Sequence, residues 1–325
     1  MIYLTDKVTN PDIERALIGD KLSTFMDEQV DFSLVKVILV WHEHVDSSFL
    51  DNFPNLTSVV RYGVGYERID LNACRARRIS VANNPDYGVD EVSDTAIALI
   101  MALSRCTSRY DARLKSISNN DKLNQWQVLA DNKAKRLSES TLGVIGAGRI
   151  GSSVIRKMSA IVKEIVVYDP YISSGFEKTL RFRRFDELDD LLACSDIVSI
   201  HTPLTSETKG IIDREFIGKM KNDSILINTA RGELIKNTKL ISEALLQQRL
   251  RAVGLDVLPL EPFDKVIDRE LLEIWKSNDN HLIGRVVINP HTAFYSEAAF
   301  QEMRYNAARQ ALRLLNGERT NNMII

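Results

Sequence analysis

Short runs of aliphatic and β-branched residues recur along the chain with helix-periodic segments between them, and this alternation restricts the fold more than any other feature. The runs are KVILV (36–40), LTSVV (56–60), STLGVIG (140–146), EIVVYD (164–169), DIVSIH (196–201), SILIN (224–228), RAVGLDV (251–257) and RVVINP (285–290). Apolar stretches of this length suit strands buried on both faces, as in parallel sheets covered by helices on either side. An α/β fold is expected.

At 325 residues the chain has material for more than one core. Two helical connectors mark how it is divided. The first runs from Val89 to about Arg109, with Val92, Ala96, Leu99, Ile100 and Leu103 at helical spacing and Asp90, Glu91 and Asp94 in its opening turn. The second, Ser296 to Gly317, carries Ala299, Met303, Ala307 and Ala311 on one face, and Gly317 is a stop signal. The strands and helices between them can form one complete sheet. The expectation is a central domain, residues 99–293, inserted into an outer domain made of residues 1–98 and 294–325. The segment from Asp264 to Gly284 reads as a long polar connection with a short helix, Asp268 to Lys276, inside it.

The 42 basic and 44 acidic side chains nearly cancel and are spread along the chain, so no charge pattern points to nucleic acid or an anionic membrane surface. Cys74, Cys106 and Cys194 are odd in number and far apart, which signals neither a disulfide framework nor a zinc site. The N-terminal MIYLTDKVTN has no basic region leading into a long apolar stretch. A cytoplasmic protein is expected.

In LGVIGAGRIGSSV, Gly146, Gly148 and Gly151 form G-x-G-x-x-G between an apolar strand and a helix pattern, with Arg149 and Ile150 completing the loop. Such a loop turns tightly, lets backbone approach a pyrophosphate, and points free helix N–H groups at it. Asp169 ends the next strand, EIVVYD, close to the spacing at which an acid takes ribose hydroxyls. A carboxylate there accepts from a free 2′-OH and repels a 2′-phosphate, and no arginine follows immediately in DPYISS. The expected cofactor is NAD.

Charged residues also end strands on this sheet. Arg231 follows the run ILINTA, His201 ends DIVSIH, His291 follows VVINP, and Asp256 and Glu261 follow AVGL. A permanent charge at the end of a core strand is costly unless it has a partner. Hydride transfer to a keto acid needs a cation for the carboxylate, an acid for the carbonyl oxygen, and a group that keeps the acid charged. Arg231, His291 and Glu261 supply these three.

TARGEL, DVLPLEP and NPHTA, together with RYGVGYERIDLNACRARRISVANNP, DEVSDTAIALIMALSR, VIGAGRIG and HTPLTSET, resemble the D-isomer-specific 2-hydroxyacid dehydrogenase family in the family's order over nearly the whole chain. DEVSDTA and HTAFYSEAAFQEMR further resemble its C-terminal-binding-protein-like branch. The resemblance implies a Rossmann-type nucleotide-binding domain inserted into a flavodoxin-like substrate domain. It implies that His291 is the general acid/base paired with Glu261, and that Arg231 binds the carboxylate and carbonyl of a small 2-keto or 2-hydroxy acid. By the same resemblance Val64 and Gly65 offer backbone N–H groups to the substrate. Thr95, Thr202, Pro203, Thr208, Thr229, Ala230, Asp256 and Ala293 fall where the family contacts NAD, with Asp256 facing the nicotinamide carboxamide. His201 is read as a cofactor-side wall residue rather than a second acid, and a homodimer is implied.

Trp41-His42-Glu43-His44 lacks the third well-spaced ligand a metal needs, and strand alternation puts His42 and Glu43 on opposite faces. Two readings stand for Trp41, His42 and Arg61: residues that shape substrate choice, or an ordinary surface loop. Phe294 is a pocket wall or a core aromatic. The stretch between Glu261 and His291 is longer than the family pattern leads one to expect. Two other functions share this scaffold: an NAD(H)-sensing protein like the corepressors of that branch, and an oxidation of formate or phosphite.

Overall fold

The computed structural model describes all residues except 7, 9, 28, 117–133 and 280. It divides into two compact units, one made of Met1–Gly88 with Tyr295–Ile325 and the other of Val89–Phe294.

The first unit is built on a parallel sheet of β1 (Ile2–Leu4), β2 (Leu22–Thr24), β3 (Val37–Val40), β4 (Ser58–Arg61) and β5 (Ser80–Ala82), in the order β2-β1-β3-β4-β5. That is the flavodoxin-like order, which reverses between β1 and β3. The helix Glu297–Leu315 packs on β3 and β4 and buries Ala299, Met303, Ala307 and Ala311. Ser296 caps it by accepting from the Ala299 N–H at 2.9 Å, and the chain leaves through Gly317 at φ +77°.

The second unit holds β6 (Thr141–Ile145), β7 (Glu164–Tyr168), β8 (Arg183–Phe185), β9 (Ile197–Ile200), β10 (Ser224–Asn228), β11 (Leu250–Leu255) and β12 (Val286–Ile288). They pair in parallel in the order β12-β11-β10-β9-β6-β7-β8. The chain runs outward from β6 through β7 to β8, then returns to β9 on the other side of β6. The order therefore reverses at β6/β9: the two strands stay paired to their last residues, Ile145 and Ile200, while the chain leaves them in opposite directions, toward β7 and toward β10, and doubly wound sheets take ligands in the crevice at such a point.

The sequence places the inner unit's start at residue 99, whereas the compact unit starts at Val89. The reason is the helix Val89–Ser104, which packs whole on the helix Arg149–Met158 and on β10 and β11. Ala96, Leu99, Ile100 and Leu103 enter the same core as Leu142 and Val144. The first turn joins in through polar contacts: Ser93 and Ser153 hydroxyls lie 3.0 Å apart, and Lys157 donates to Asp90 at 2.9 Å and Asp94 at 2.7 Å. Ser93, not Val92, takes the fully buried position there. The helix expected to reach Arg109 stops at Ser104, because Cys106 turns left-handed at φ +56° before a second helix, Thr107–Ser116, begins. No helix among the described residues is long and apolar enough to cross a membrane.

Candidate active site

Because every strand of the second unit runs the same way, the residues that follow the strands share one edge of its sheet. In spatial order that edge carries His291 after β12, Asp256 and Glu261 after β11, Arg231 after β10, His201 after β9, the glycine loop after β6 and Asp169 after β7. The three catalytic candidates thus follow β10, β11 and β12, while the nucleotide candidates run along the whole edge, from Ala293 and Asp256 through Thr229 and the glycine loop to Asp169.

The glycine loop is shaped by contacts that exclude side chains. Gly146 turns at φ +89°, and a Cβ on it meets the His201 carbonyl at 2.9 Å. A Cβ on Gly151 falls 1.9 Å from the Gly146 oxygen, which lets the helix Arg149–Met158 start hard against the strand. A Cβ on Gly148 would meet nothing within 4 Å, so that side of the loop is open. No side chain caps that helix, leaving first-turn N–H groups for an anion. Asp169 accepts from the Ala147 N–H at 2.8 Å through one carboxylate oxygen and from the Tyr171 N–H at 2.9 Å through the other. Each oxygen keeps a lone pair for a ribose hydroxyl.

On the next strands, His201 Nδ1, Thr202 Oγ1 and Thr229 Oγ1 are buried polar atoms with no protein partner. Buried polar groups are normally satisfied, so three orphans beside a glycine loop fit a polar ligand lying along the edge. Thr208 donates to the Pro203 carbonyl at 2.6 Å and holds that loop closed. Burial pushes the His201 imidazole down to about 4, so it is neutral at neutral pH, with Nε2 2.8 Å from the Ser199 hydroxyl.

Arg231 leaves β10 in an extended conformation held by Asn228, whose side chain accepts from the Ala230 N–H at 3.0 Å and donates to the Arg231 carbonyl at 2.8 Å. Gly232 follows because a Cβ there falls 1.9 Å from the Leu258 carbonyl oxygen: the loops after β10 and β11 touch backbone to backbone. In the β11 loop, Glu261 accepts from the Leu258 N–H at 2.9 Å with one oxygen and bonds His291 Nδ1 at 2.5 Å with the other.

His291 stands at φ +55°, a left-handed conformation uncommon for a side-chain-bearing residue and enriched at functional sites. Asp256 holds it there. The Asp256 carbonyl accepts from the His291 N–H at 2.9 Å, and its carboxylate Oδ1 accepts from the N–H groups of Thr292 and Ala293 at 3.1 and 3.0 Å. Thr95 donates to the Ala293 carbonyl at 3.4 Å. Burial pushes the Asp256 carboxyl up against the pull of those N–H bonds.

The hydrogen bond to Glu261 raises the His291 pKa above its ordinary value, although burial and the charge of Arg231 oppose it. Burial alone drives Glu261 upward, but its bond to His291, that imidazole's charge, the Leu258 N–H and Arg231 together hold it below the usual carboxylate range. The two shifts agree: the pair favours imidazolium beside carboxylate, and Arg231 is near enough for both to feel it.

The remaining candidates lie in the first unit, apart from Phe294, which is half-buried in the second. Trp41 stacks on the His42 ring at 4.6 Å and packs on Tyr62 and Phe300. Asp6 accepts from the N–H groups of Trp41 and His42, both at 2.6 Å, and lies 3.1 Å from His42 Nδ1. Arg61 ends β4 half-buried; Val64 is exposed and Gly65 half-exposed, with the Val64 carbonyl accepting from Asn83 at 2.7 Å. Among the described residues no group of three or more His, Cys, Asp or Glu could hold a metal.

Asn228, Asp6 and Arg184 were not among the sequence candidates. Arg184 donates to the carbonyls of Asp169 and Ile172 at 3.3 and 3.1 Å and anchors the loop that carries Asp169. The only sequence signal for Asn228 was its place at a strand end before TARG, where Asn side chains bond nearby backbone.

The family model described as D-isomer specific 2-hydroxyacid dehydrogenase, NAD binding domain, matches residues 97–293. A D-3-phosphoglycerate dehydrogenase of Mycobacterium tuberculosis is 33% identical over 274 residues, 84% of this chain and 48% of the relative, as is its Mycobacterium bovis counterpart. The chain spans about half the length of these curated relatives. The crystal structure of a D-lactate dehydrogenase from Aquifex aeolicus complexed with NAD and lactic acid is similar over 100% of this chain and 99% of its own, with a TM-score of 0.81 and 26% identity. A D-mandelate dehydrogenase of Rhodotorula graminis, 22% identical, shares the fold over 100% of this chain and 97% of its own with a TM-score of 0.83.

Proposed function

Since the chain belongs to the D-isomer specific 2-hydroxyacid dehydrogenase family and carries its NAD-binding domain, we propose that it interconverts a 2-keto acid and the matching D-2-hydroxy acid with NAD(H). The observation that carries this reading is the His291–Glu261 bond, at 2.5 Å, with Arg231 in electrostatic reach at the ends of three adjacent strands.

The residues divide the work as follows. With Nδ1 bound to Glu261, His291 turns Nε2 outward; protonated, it donates to the carbonyl oxygen in reduction, and neutral, it takes the hydroxyl proton in oxidation. Glu261 fixes the ring and stabilises its charge. Arg231 supplies a fork for the substrate carboxylate, a bidentate pairing that lysine reproduces poorly. Asp256 keeps the His291 turn in place. The chemistry that NAD(H) supplies when bound is hydride exchange with C2 of the acid. Gly146, Gly148, Arg149, Ile150 and Gly151 form its phosphate loop, Asp169 takes its ribose, and His201, Thr202, Thr229, Ala230 and Ala293 line the remainder. Val64 and Gly65, with Trp41, His42, Arg61 and Phe294, belong to substrate recognition in the same reading. DEVSDTA and HTAFYSEAAFQEMR support placement in the C-terminal-binding-protein-like branch, and a cytoplasmic homodimer completes the proposal.

The test is purified protein with NADH and a panel of 2-keto acids, followed at the NADH absorbance. Consumption of NADH by at least one keto acid, lost in His291→Ala while NADH affinity is kept, is expected. NADH binding without turnover of any acid overturns the enzyme reading and favours a sensor.

A further inference from the structure

A polar, half-open cleft of about 140 Å³ lies within the first unit; it contains none of the residues assigned above, although its Asn84 N–H donates to the Gly63 carbonyl at 3.2 Å, one residue from Val64. That is roughly ten times the ~10–15 Å³ that admits one water. Its wall is made by the chain just after β5, by the helix Glu297–Leu315, and by the segment around Thr320 that follows it. These pieces are tied together. Gln310 donates to the Asn83 carbonyl at 3.2 Å and accepts from the Thr320 hydroxyl at 3.0 Å, while the Asn83 N–H donates to the Asn322 carbonyl at 3.1 Å.

Two features make this more than a wet notch. Asn84 lines the cavity, is 0% exposed, and has an Oδ1 with no partner. Its amide cannot be turned round to escape, because Nδ2 already donates to the Met303 carbonyl at 2.9 Å. A buried carbonyl oxygen left unmatched is costly, and only a donor can satisfy it. The second feature is charge of both signs in the lining: Asp86, two residues after Asn84 on the chain that follows β5, and Arg309 and Arg313, one turn apart on the helix. Arg313 is partly engaged by Glu318, with Nε 3.3 Å from its carboxylate, so Arg309 is the main anion grip.

We propose that this cavity binds a small zwitterion such as a free amino acid, its ammonium donating to Asn84 and Asp86 and its carboxylate received by Arg309. A simple anion leaves the Asn84 oxygen unmatched and meets Asp86; a simple cation meets the arginines. None of the residues the argument uses is aliphatic or aromatic, so the side chain of the ligand is short or polar. The proposal does not depend on the dehydrogenase reading.

Calorimetric titration of the whole protein with glycine, β-alanine and asparagine, and with acetate, methylamine and inorganic phosphate as single-charge controls, tests it. Saturable binding of at least one amino acid is expected, with none of the controls matching it. Arg309→Gln and Asp86→Asn, both at exposed positions where folding is not at stake, should each weaken that binding about tenfold or more. Absence of saturable binding by all three amino acids, equal binding by acetate or phosphate, or binding indifferent to both substitutions overturns the proposal.

Discussion

His291 and Glu261 set the pH behaviour of the proposed reaction, and its sign follows from the direction of each shift. The His291 pKa is raised by its bond to Glu261, and the Glu261 pKa is held down by the bond to His291 and by Arg231 against the upward push of burial. The imidazolium–carboxylate pair is therefore complete between those two values. It is lost as pH rises through the raised His291 pKa, and also as pH falls through the lowered Glu261 pKa. Reduction needs the imidazolium, so kcat/KM for a keto acid should be flat near neutrality and fall above the ordinary histidine range. Oxidation should rise over the same interval. Glu261→Gln removes the largest raising influence, so the inflection should move to lower pH; an inflection that stays put would mean that another group titrates. His291→Ala should lower kcat by about 10²–10⁴, the usual worth of a positioned acid or base. At the nucleotide end, Asp169→Ala should narrow the gap between NADH and NADPH in kcat/KM, and an unchanged ratio would assign the discrimination to another residue. These side chains were legible in the sequence because their chemistry is rare at strand ends. Asn228, Asp6 and Arg184 were not, since each acts by meeting particular backbone groups whose positions only the fold fixes.

The strands read correctly from sequence include SILIN and the six-residue β11, both buried throughout. Those not foreseen, β1, β2, β5 and β8, are three residues long, and β8 is RRF with its first arginine exposed. A run that short carries no usable period. The break at Cys106 was equally hidden, because no glycine or proline marks it. Glycines after strands were informative in a different way: Gly146, Gly151 and Gly232 each mark a place where two elements touch. Gly232 is the sharpest case, with the Leu258 carbonyl 1.9 Å from where a Cβ would stand. Gly232→Ala must push apart the loops that carry Arg231 and Glu261, at a cost of about 1–3 kcal/mol for overpacking. Movement there should lower kcat and raise KM for the keto acid together while leaving NADH affinity nearly unchanged, read by steady-state kinetics beside NADH titration. Wild-type kinetics in the alanine variant would show that the loop contact has room to relax.

At the scale of the molecule, the first unit has to be closed by segments from opposite ends of the chain. The helix Asp12–Ile18 packs on the helix Glu297–Leu315. At their junction Glu14, 0% exposed, accepts from the Tyr62 hydroxyl at 2.8 Å and from Arg304 at 3.0 and 2.6 Å. Arg304 also donates to the Asn10 carbonyl at 2.7 Å and to Asp12 at 3.0 Å. No sequence pattern links a glutamate near the start to an arginine near the end, so this closure was invisible until the fold placed them together. A buried ion pair contributes little net stability against a well-packed apolar pair, but removing one partner strands the other's charge. Arg304→Met should therefore cost about 3–5 kcal/mol in urea unfolding of the whole chain. The double variant Glu14→Leu with Arg304→Met should recover part of that loss, although the Tyr62 hydroxyl then lacks its acceptor. If Arg304→Met alone loses less than about 1 kcal/mol, as exposed ion pairs do, the junction admits enough water to carry the glutamate's charge, and the two ends of the chain are held by apolar packing instead.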